Sequence, residues 1–287
     1  MMPGFKKLVV PVRGDGKGDN VLRHAAVIAH RFKAHVDVTH VRAAAEDMIP
    51  FGVAVPEIMK KQILASARSL ADTEEDKLRN ELHLLASELN LSETNTPDGS
   101  EATVWFSEEH GRQVDMISSL GRLADLIVVP QPDRKAQLGV NTLRSAIFNS
   151  GRPVLMCPDQ AAPQTLGDRI AIGWNGSIEA SRAMRMSMPL IRTAKNVTIL
   201  TTDDRENDRS SASELKRLLN MHGVSSDIIQ VEQQGVIGQR LLEVCEECDA
   251  GLLIMGAYHQ GYKRQEIFGG NAQLVVDKAQ IPVIMAH

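Results

Sequence analysis

Short runs of nearly unbroken apolar residues recur along the chain. Each is followed by turn residues and then by a longer stretch whose apolar positions lie three or four apart. The runs predict strands at about 6–12, 35–41, 102–107, 125–130 and 153–157, and again at about 169–174, 196–202, 227–231, 251–256 and 281–286. They are rich in Val, Ile and Leu and do not alternate with polar residues. That is the pattern of strands buried on both faces of a parallel sheet. The stretches between them predict helices, the longest through Ile63, Ala67, Leu70, Leu78, Leu82, Leu85 and Leu89, with charges in between. The polar segment SETNTPDGSE, residues 92–101, predicts a surface loop. Strands alternating with helices imply an α/β fold, three layers with helices covering a parallel sheet.

The pattern occurs twice. KKLVVPVRGD near the start matches DRIAIGWNGS from 168, with Val12-Arg13 aligned on Trp174-Asn175. ADLIVVPQPD matches AGLLIMGAYH, and GRPVLMCP matches the closing QIPVIMAH. The connector DQAAPQTLGD, residues 159–168, is rich in Pro, Ala and polar residues and marks a boundary. Two domains are expected, 1–158 and 168–287.

In an open parallel sheet, ligands bind beyond the carboxyl ends of the strands, where strand order reverses. The residues just after each strand therefore carry the candidate chemistry. In the second half these are Gly173, Asn175-Gly176-Ser177, and the segment 256–276 that opens on Gly256 and reaches Gly269-Gly270-Asn271 at the start of the last helix. Glycines there let a ligand approach the backbone, and free N–H groups at a helix start suit a phosphate. Lys263 and Arg264 add positive charge. The same glycines also serve a turn and a helix cap, and both readings stand on spacing alone.

LVVPV and IAIGWNGS at the two first strands, LLIMGAY, FGGN before the last helix and the final PVIMAH resemble the universal stress protein family in its tandem, two-domain form. The resemblance covers almost the whole chain. It implies two tandem open five-stranded parallel sheets flanked by helices, a flavodoxin-like architecture of the adenine nucleotide alpha hydrolase-like type. The last strands of the two halves, near 153–157 and 281–286, would meet. Nucleotide-binding members bind ATP through Gly-x2-Gly-x9-Gly-Ser/Thr after the fourth strand, and a carboxylate after the first strand contacts the ribose. Carried over by position, the first Gly is Gly256, the second falls on His259, the third is Gly269 and the Ser/Thr falls on Gly270. The carboxylate falls on Asn175, an amide that can still hydrogen-bond a ribose hydroxyl. The first half departs further, with Pro130-Gln131-Pro132-Asp133 after its fourth strand and Arg13 at the carboxylate position. The resemblance thus implies no nucleotide in the first half and a partly retained site in the second, formed by Gly173, Asn175, Gly256, His259, Gly269, Gly270 and Asn271.

Composition narrows the class. The 287 residues hold 32 Lys plus Arg against 36 Asp plus Glu, and aromatics make up 3%. With no basic tract, a nucleic-acid partner is not expected. No apolar run reaches the roughly 18 residues a spanning helix needs, and the amino terminus lacks a signal-peptide core, so no membrane association is expected. Three cysteines, Cys157, Cys245 and Cys248, do not make a disulfide scaffold, and a reducing cytoplasm is the expected compartment.

Three other motifs carry less. Cys245-Glu-Glu-Cys248 is a C-x-x-C, yet Ile237, Leu241, Cys245 and Cys248 form an apolar stripe beyond a helix start near Val236, which predicts core rather than a redox or metal pair. The glycine-rich loop 14–19 lacks the P-loop spacing, and the acidic 203–209 segment predicts solvated surface. His35 and His40 lie an odd number apart on a strand and so face opposite sides, and no metal is expected beyond magnesium carried by a nucleotide. The expectation is a stress-response binding protein that holds or senses ATP or another adenine nucleotide. Its partner protein is unidentified, and it forms an intramolecular pseudo-dimer, with a homodimer of chains as a further arrangement. The alternatives are an interaction module without nucleotide and a weak ATPase using His259 or Glu266.

Overall fold

The computed structural model describes residues 4–12, 17–42, 75–133, 138–202, 210–232, 235–257 and 270–287. In the first half, β1 (Lys7–Val12), α1 (Gly18–Phe32), β2 (His35–Arg42), α2 (described over 75–88), β3 (Ser92–Glu93) and β4 (Thr103–His110) come first. They are followed by α3 (Gln113–Arg122), β5 (Leu126–Pro130), α4 (Val140–Asn149) and β6 (Val154–Cys157). The second half begins with β7 (Arg169–Gly173), α5 (Ile178–Met186), α6 (Met188–Ile191), β8 (Asn196–Thr201), α7 (Ala212–Met221) and β9 (Asp227–Gln230). It ends with α8 (Ile237–Glu247), β10 (Leu252–Gly256), α9 (Gly270–Lys278) and β11 (Val283–Ala286).

The strands form one 11-stranded sheet in the order β3-β4-β2-β1-β5-β6-β11-β10-β7-β8-β9. Each half contributes the same five-strand order, and the two are joined by an antiparallel pairing of β6 with β11, Ile284 opposite Leu155. All other pairings of named strands are parallel. The two five-stranded sheets implied by the resemblance meet through their last strands, as it also implies, and so run on as one continuous sheet. The added strand, β3, lies within the segment 92–101 expected as loop, where Thr94 N–H donates to the carbonyl of Val104.

Two apolar clusters fill the two faces, and the strand period assigns them. Leu126 and Val128 of β5 belong to one, Ile127 and Val129 to the other, because successive side chains point to opposite sides. The first cluster packs α1, α2, α5, α6 and α7 on the sheet, and the second packs α3, α4, α8 and α9. Both clusters draw residues from both halves. The continuous apolar runs follow from this geometry: β5, β6 and β11 are buried along their whole length.

Helix starts and stops are written locally. Ser177 caps α5 by accepting from Ala180 N–H at 3.1 Å, and Ser211 caps α7 by accepting from Glu214 N–H at 3.2 Å. α1 ends on Lys33 in the left-handed region, φ 52°. Contacts between the halves extend beyond the sheet. Arg31 of α1 pairs with Asp168 ahead of β7 at 2.5 Å, Asn20 donates to the carbonyl of Pro158 at 2.7 Å, and Phe148 of α4 meets His287 edge to face at 4.8 Å.

Candidate functional site

In each half the strand order reverses beside the first strand, between β1 and β5 and between β7 and β10. The second of these reversals opens into a cavity of about 400 Å³. Its floor is the ends of β7, β8 and β10, and its side walls are the first turns of α8 and α9. Gly173, Asn175, Gly256, Gly270 and Asn271 all line it. These five residues, spread over nearly a hundred positions, are brought together around one cavity. His259 and Gly269 lie outside the described residues, as do Arg13, Lys263, Arg264, Glu266 and the 203–209 segment.

Each glycine has its own reason. A β-carbon on Gly256 would stand 2.7 Å from Ala180 N and 2.9 Å from Glu179 Cβ, so α5 can cross the end of β10 only over a glycine. Gly173 is less constrained, since a β-carbon there would meet Met255 Cβ at 3.5 Å, ordinary contact. Gly270 faces open space at the start of α9. Gly238, which pattern reading passed over, matters more: a β-carbon there would lie 2.6 Å from the carbonyl oxygen of Asn271. That close approach lets Gly238 N–H donate to Asn271 Oδ1 at 3.1 Å and ties the starts of α8 and α9 together.

Asn175 sits on the turn after β7, where its Oδ1 accepts from Ser177 N–H at 3.1 Å. Gly176 between them holds φ 71°, the left-handed conformation that suits glycine. The wall is otherwise apolar, built from Leu200, Val231, Ile237, Leu241, Met255 and Ala272. Trp174 adds its ring, held by Nε1 donating to the carbonyl of Ser210 at 2.8 Å. Thr201 and Thr202 supply hydroxyls. Among the described lining residues none is ionisable. Sequence reasoning missed Trp174 and the wall of α8. Trp174 was legible as the residue next to Asn175, whereas the α8 residues belong to a stripe that reads equally well as core.

The equivalent corner of the first half is differently made. Pro130 stands opposite Cys157 as Gly256 stands opposite Ala286, so a proline ring occupies the position of the glycine. The next residue, Gln131, turns its amide away and donates to the carbonyls of Val276 at 2.8 Å and Ala279 at 3.3 Å, at the end of α9. A cavity in the first half is smaller, about 120 Å³, and opens elsewhere, between α1 and α2 at Leu22, Leu78 and Leu82.

Cys245 is buried in α8, and burial pushes its thiol up to about 12. Cys248 caps the end of that helix and is half-buried, a correction to the expectation that both lie inside the helix. The helix runs out at Glu247, before the stripe is complete. Burial also raises Cys248, and raises Cys157 strongly, so none of the three is an activated thiolate. Among the described residues no three His, Cys, Asp or Glu gather as for a metal ion, and no helix is long and apolar enough to cross a membrane.

No protein-family model matches the chain, and no curated protein matches it significantly. Solved structures do. A universal stress protein from Archaeoglobus fulgidus DSM 4304 is 14% identical, with a TM-score of 0.71 over 98% of this chain and 97% of that one. A putative universal stress protein from Pseudomonas aeruginosa UCBPP-PA14 is 14% identical, with a TM-score of 0.55 over 99% and 94%. A functionally unknown protein from Pseudomonas aeruginosa PAO1 is 14% identical, with a TM-score of 0.56 over 99% and 93%. The chain has the universal stress protein fold. It matches these structures along their full length, as the tandem form of that fold requires.

Proposed function

We propose that this chain is a tandem universal stress protein whose second half holds ATP or another adenine nucleotide, and that it works by binding rather than turnover. The observation that supports this is the cavity of about 400 Å³ at the β7/β10 reversal, lined by five of the residues the resemblance assigns to a nucleotide. In this reading the base lies on the apolar wall beside Trp174, Asn175 meets the ribose, and the N–H groups at the start of α9 carry phosphate. Any magnesium arrives with the phosphates. The domains are 1–158 and 168–287. The first serves architecture and contact with an unidentified protein partner, in a cytoplasmic molecule that is a pseudo-dimer within one chain.

Equilibrium titration with fluorescently labelled ATP tests the reading, with saturable binding below millimolar nucleotide as the expected result. No saturation at millimolar nucleotide ends it. A second reading, an interaction module with an empty pocket, is favoured by one observation: the packing of α5 alone accounts for Gly256. Native mass spectrometry of freshly purified protein separates the two, since the first predicts a co-purified nucleotide and the second none.

A further inference from the structure

The wall of the second-half pocket is lopsided in its hydrogen-bonding chemistry. Two of its polar side chains are primary amides, Asn175 and Asn271. Both have their oxygens committed inside the protein, Asn175 Oδ1 to Ser177 N–H and Asn271 Oδ1 to Gly238 N–H, each at 3.1 Å. Turning either amide over would leave a backbone donor facing an NH2 group, so the orientation is fixed by the partner. Each oxygen thus holds one backbone N–H already, whereas each Nδ2 has no acceptor among the described residues. Ser177 Oγ also accepts a backbone bond, from Ala180 N–H at 3.1 Å. No aspartate or glutamate stands in the described lining. Glu179 is near, with its Cβ against Gly256, but it lies outside the wall.

Among the described residues, such a wall offers unpaired amide donors to a ligand and no charged acceptor for a ligand's hydroxyl. A carboxylate at the turn after β7 would accept from a sugar hydroxyl and repel an anion. An amide whose oxygen is held by the backbone and whose NH2 is unpaired does the reverse. Its bond to an anionic oxygen is charge-assisted and about twice as strong as one to a neutral oxygen. Resting on the nucleotide reading above, we infer that Asn175 makes the site select an adenine nucleotide whose ribose carries a second phosphate, at the 2′ or 3′ oxygen, over one with free sugar hydroxyls. Asn175 is then the specificity-determining residue.

Isothermal titration of the nucleotide-stripped full chain tests this with four probes: 5′-AMP, ADP, adenosine 2′,5′-bisphosphate and adenosine 3′,5′-bisphosphate. ADP carries its second phosphate on the 5′ chain and so controls for general charge. The two bisphosphates tell the 2′ from the 3′ oxygen. One bisphosphate is expected to bind about tenfold more tightly than both AMP and ADP. In Asn175→Asp, which keeps an acceptor for Ser177 N–H, that ratio is expected to fall to one or below. Asn175→Ser, which also keeps an acceptor and loses the NH2, serves as the second variant, and circular dichroism checks that both fold. AMP or ADP binding as tightly as both bisphosphates overturns the inference and leaves the nucleotide reading standing. A ratio unchanged in both variants overturns it too. Failure of all four probes to bind overturns this inference, while the titration with labelled ATP decides the nucleotide reading separately.

Discussion

At the end of β10 the chain leaves the sheet on Gly256, and at the matching end of β5 it leaves on Pro130. The strand order around the two corners is the same, and the backbone pairing is the same. The difference lies in what the next residues do. After β10, α9 starts on Gly270 in open space beside a cavity of about 400 Å³. After β5, Gln131 reaches across to the last turn of α9 and holds the carbonyls of Val276 and Ala279. One corner opens on a cavity, and the other is part of the joint between halves. A duplicated scaffold constrains where a site can be. The side chains at the strand ends decide whether it remains one.

The sharpest way to break this comparison is to put a side chain where only the first half has one. Gly256→Ala places a methyl group 2.7 Å from Ala180 N. Because the obstacle is helix backbone, the expected cost is about 2–3 kcal/mol, read by urea denaturation, with loss of nucleotide binding. An unchanged midpoint would show that α5 can move away and that the glycine serves the pocket instead.

Acid sharpens the comparison from the first half. His24 is buried in α1, with Nδ1 against the carbonyl of Asn20 and Nε2 without a partner. Burial lowers its pKa from 6.5, and burial lowers His35 as well. The unfolded chain therefore takes up protons first. The stability present above pH 6.5 is lost as pH falls from there toward the lower folded-state value. Denaturation midpoints should drop across that window, and less steeply in His24→Leu. The aligned position in the second half is Met186, so no matching acid loss is expected from α5.

Gln131→Ala removes both bonds to the end of α9 and is expected to cost about 1 kcal/mol. Nucleotide affinity should weaken with it, because α9 then loses a hold at one end while its start frames the pocket. An affinity equal to wild type would uncouple the joint from the site. The smallest effect belongs to Gly173→Ala. Its methyl meets Met255 at ordinary contact distance, so stability should stay within about 0.5 kcal/mol, and any fall in affinity then reports on the cavity alone.

The strand runs were legible because burial on both faces leaves nothing but apolar residues. β5, LIVVP, and β6, VLMC, could hardly be read otherwise. Gly173, Asn175, Gly256, Gly270 and Asn271 were legible for a different reason: strand ends in a parallel sheet converge whatever lies between them. The reason for Gly256 was not legible, since it depends on where α5 crosses, a tertiary fact. Nor was the bond between Gly238 and Asn271, whose partners sit on separate helices. Cys248 misled because a stripe at helical spacing does not say where the helix stops. The two-residue β3 is too short to leave a periodic trace among polar neighbours.

The antiparallel seam between β6 and β11 has a consequence for anything that approaches the molecule. It turns the two halves head to tail, so their strands finish on opposite rims of one shared sheet. A visitor arriving at the rim that carries Asn175 and Gly256 cannot reach the rim that carries Pro130. The two corners are thereby approached from opposite sides of the molecule, and the length of α9 links them.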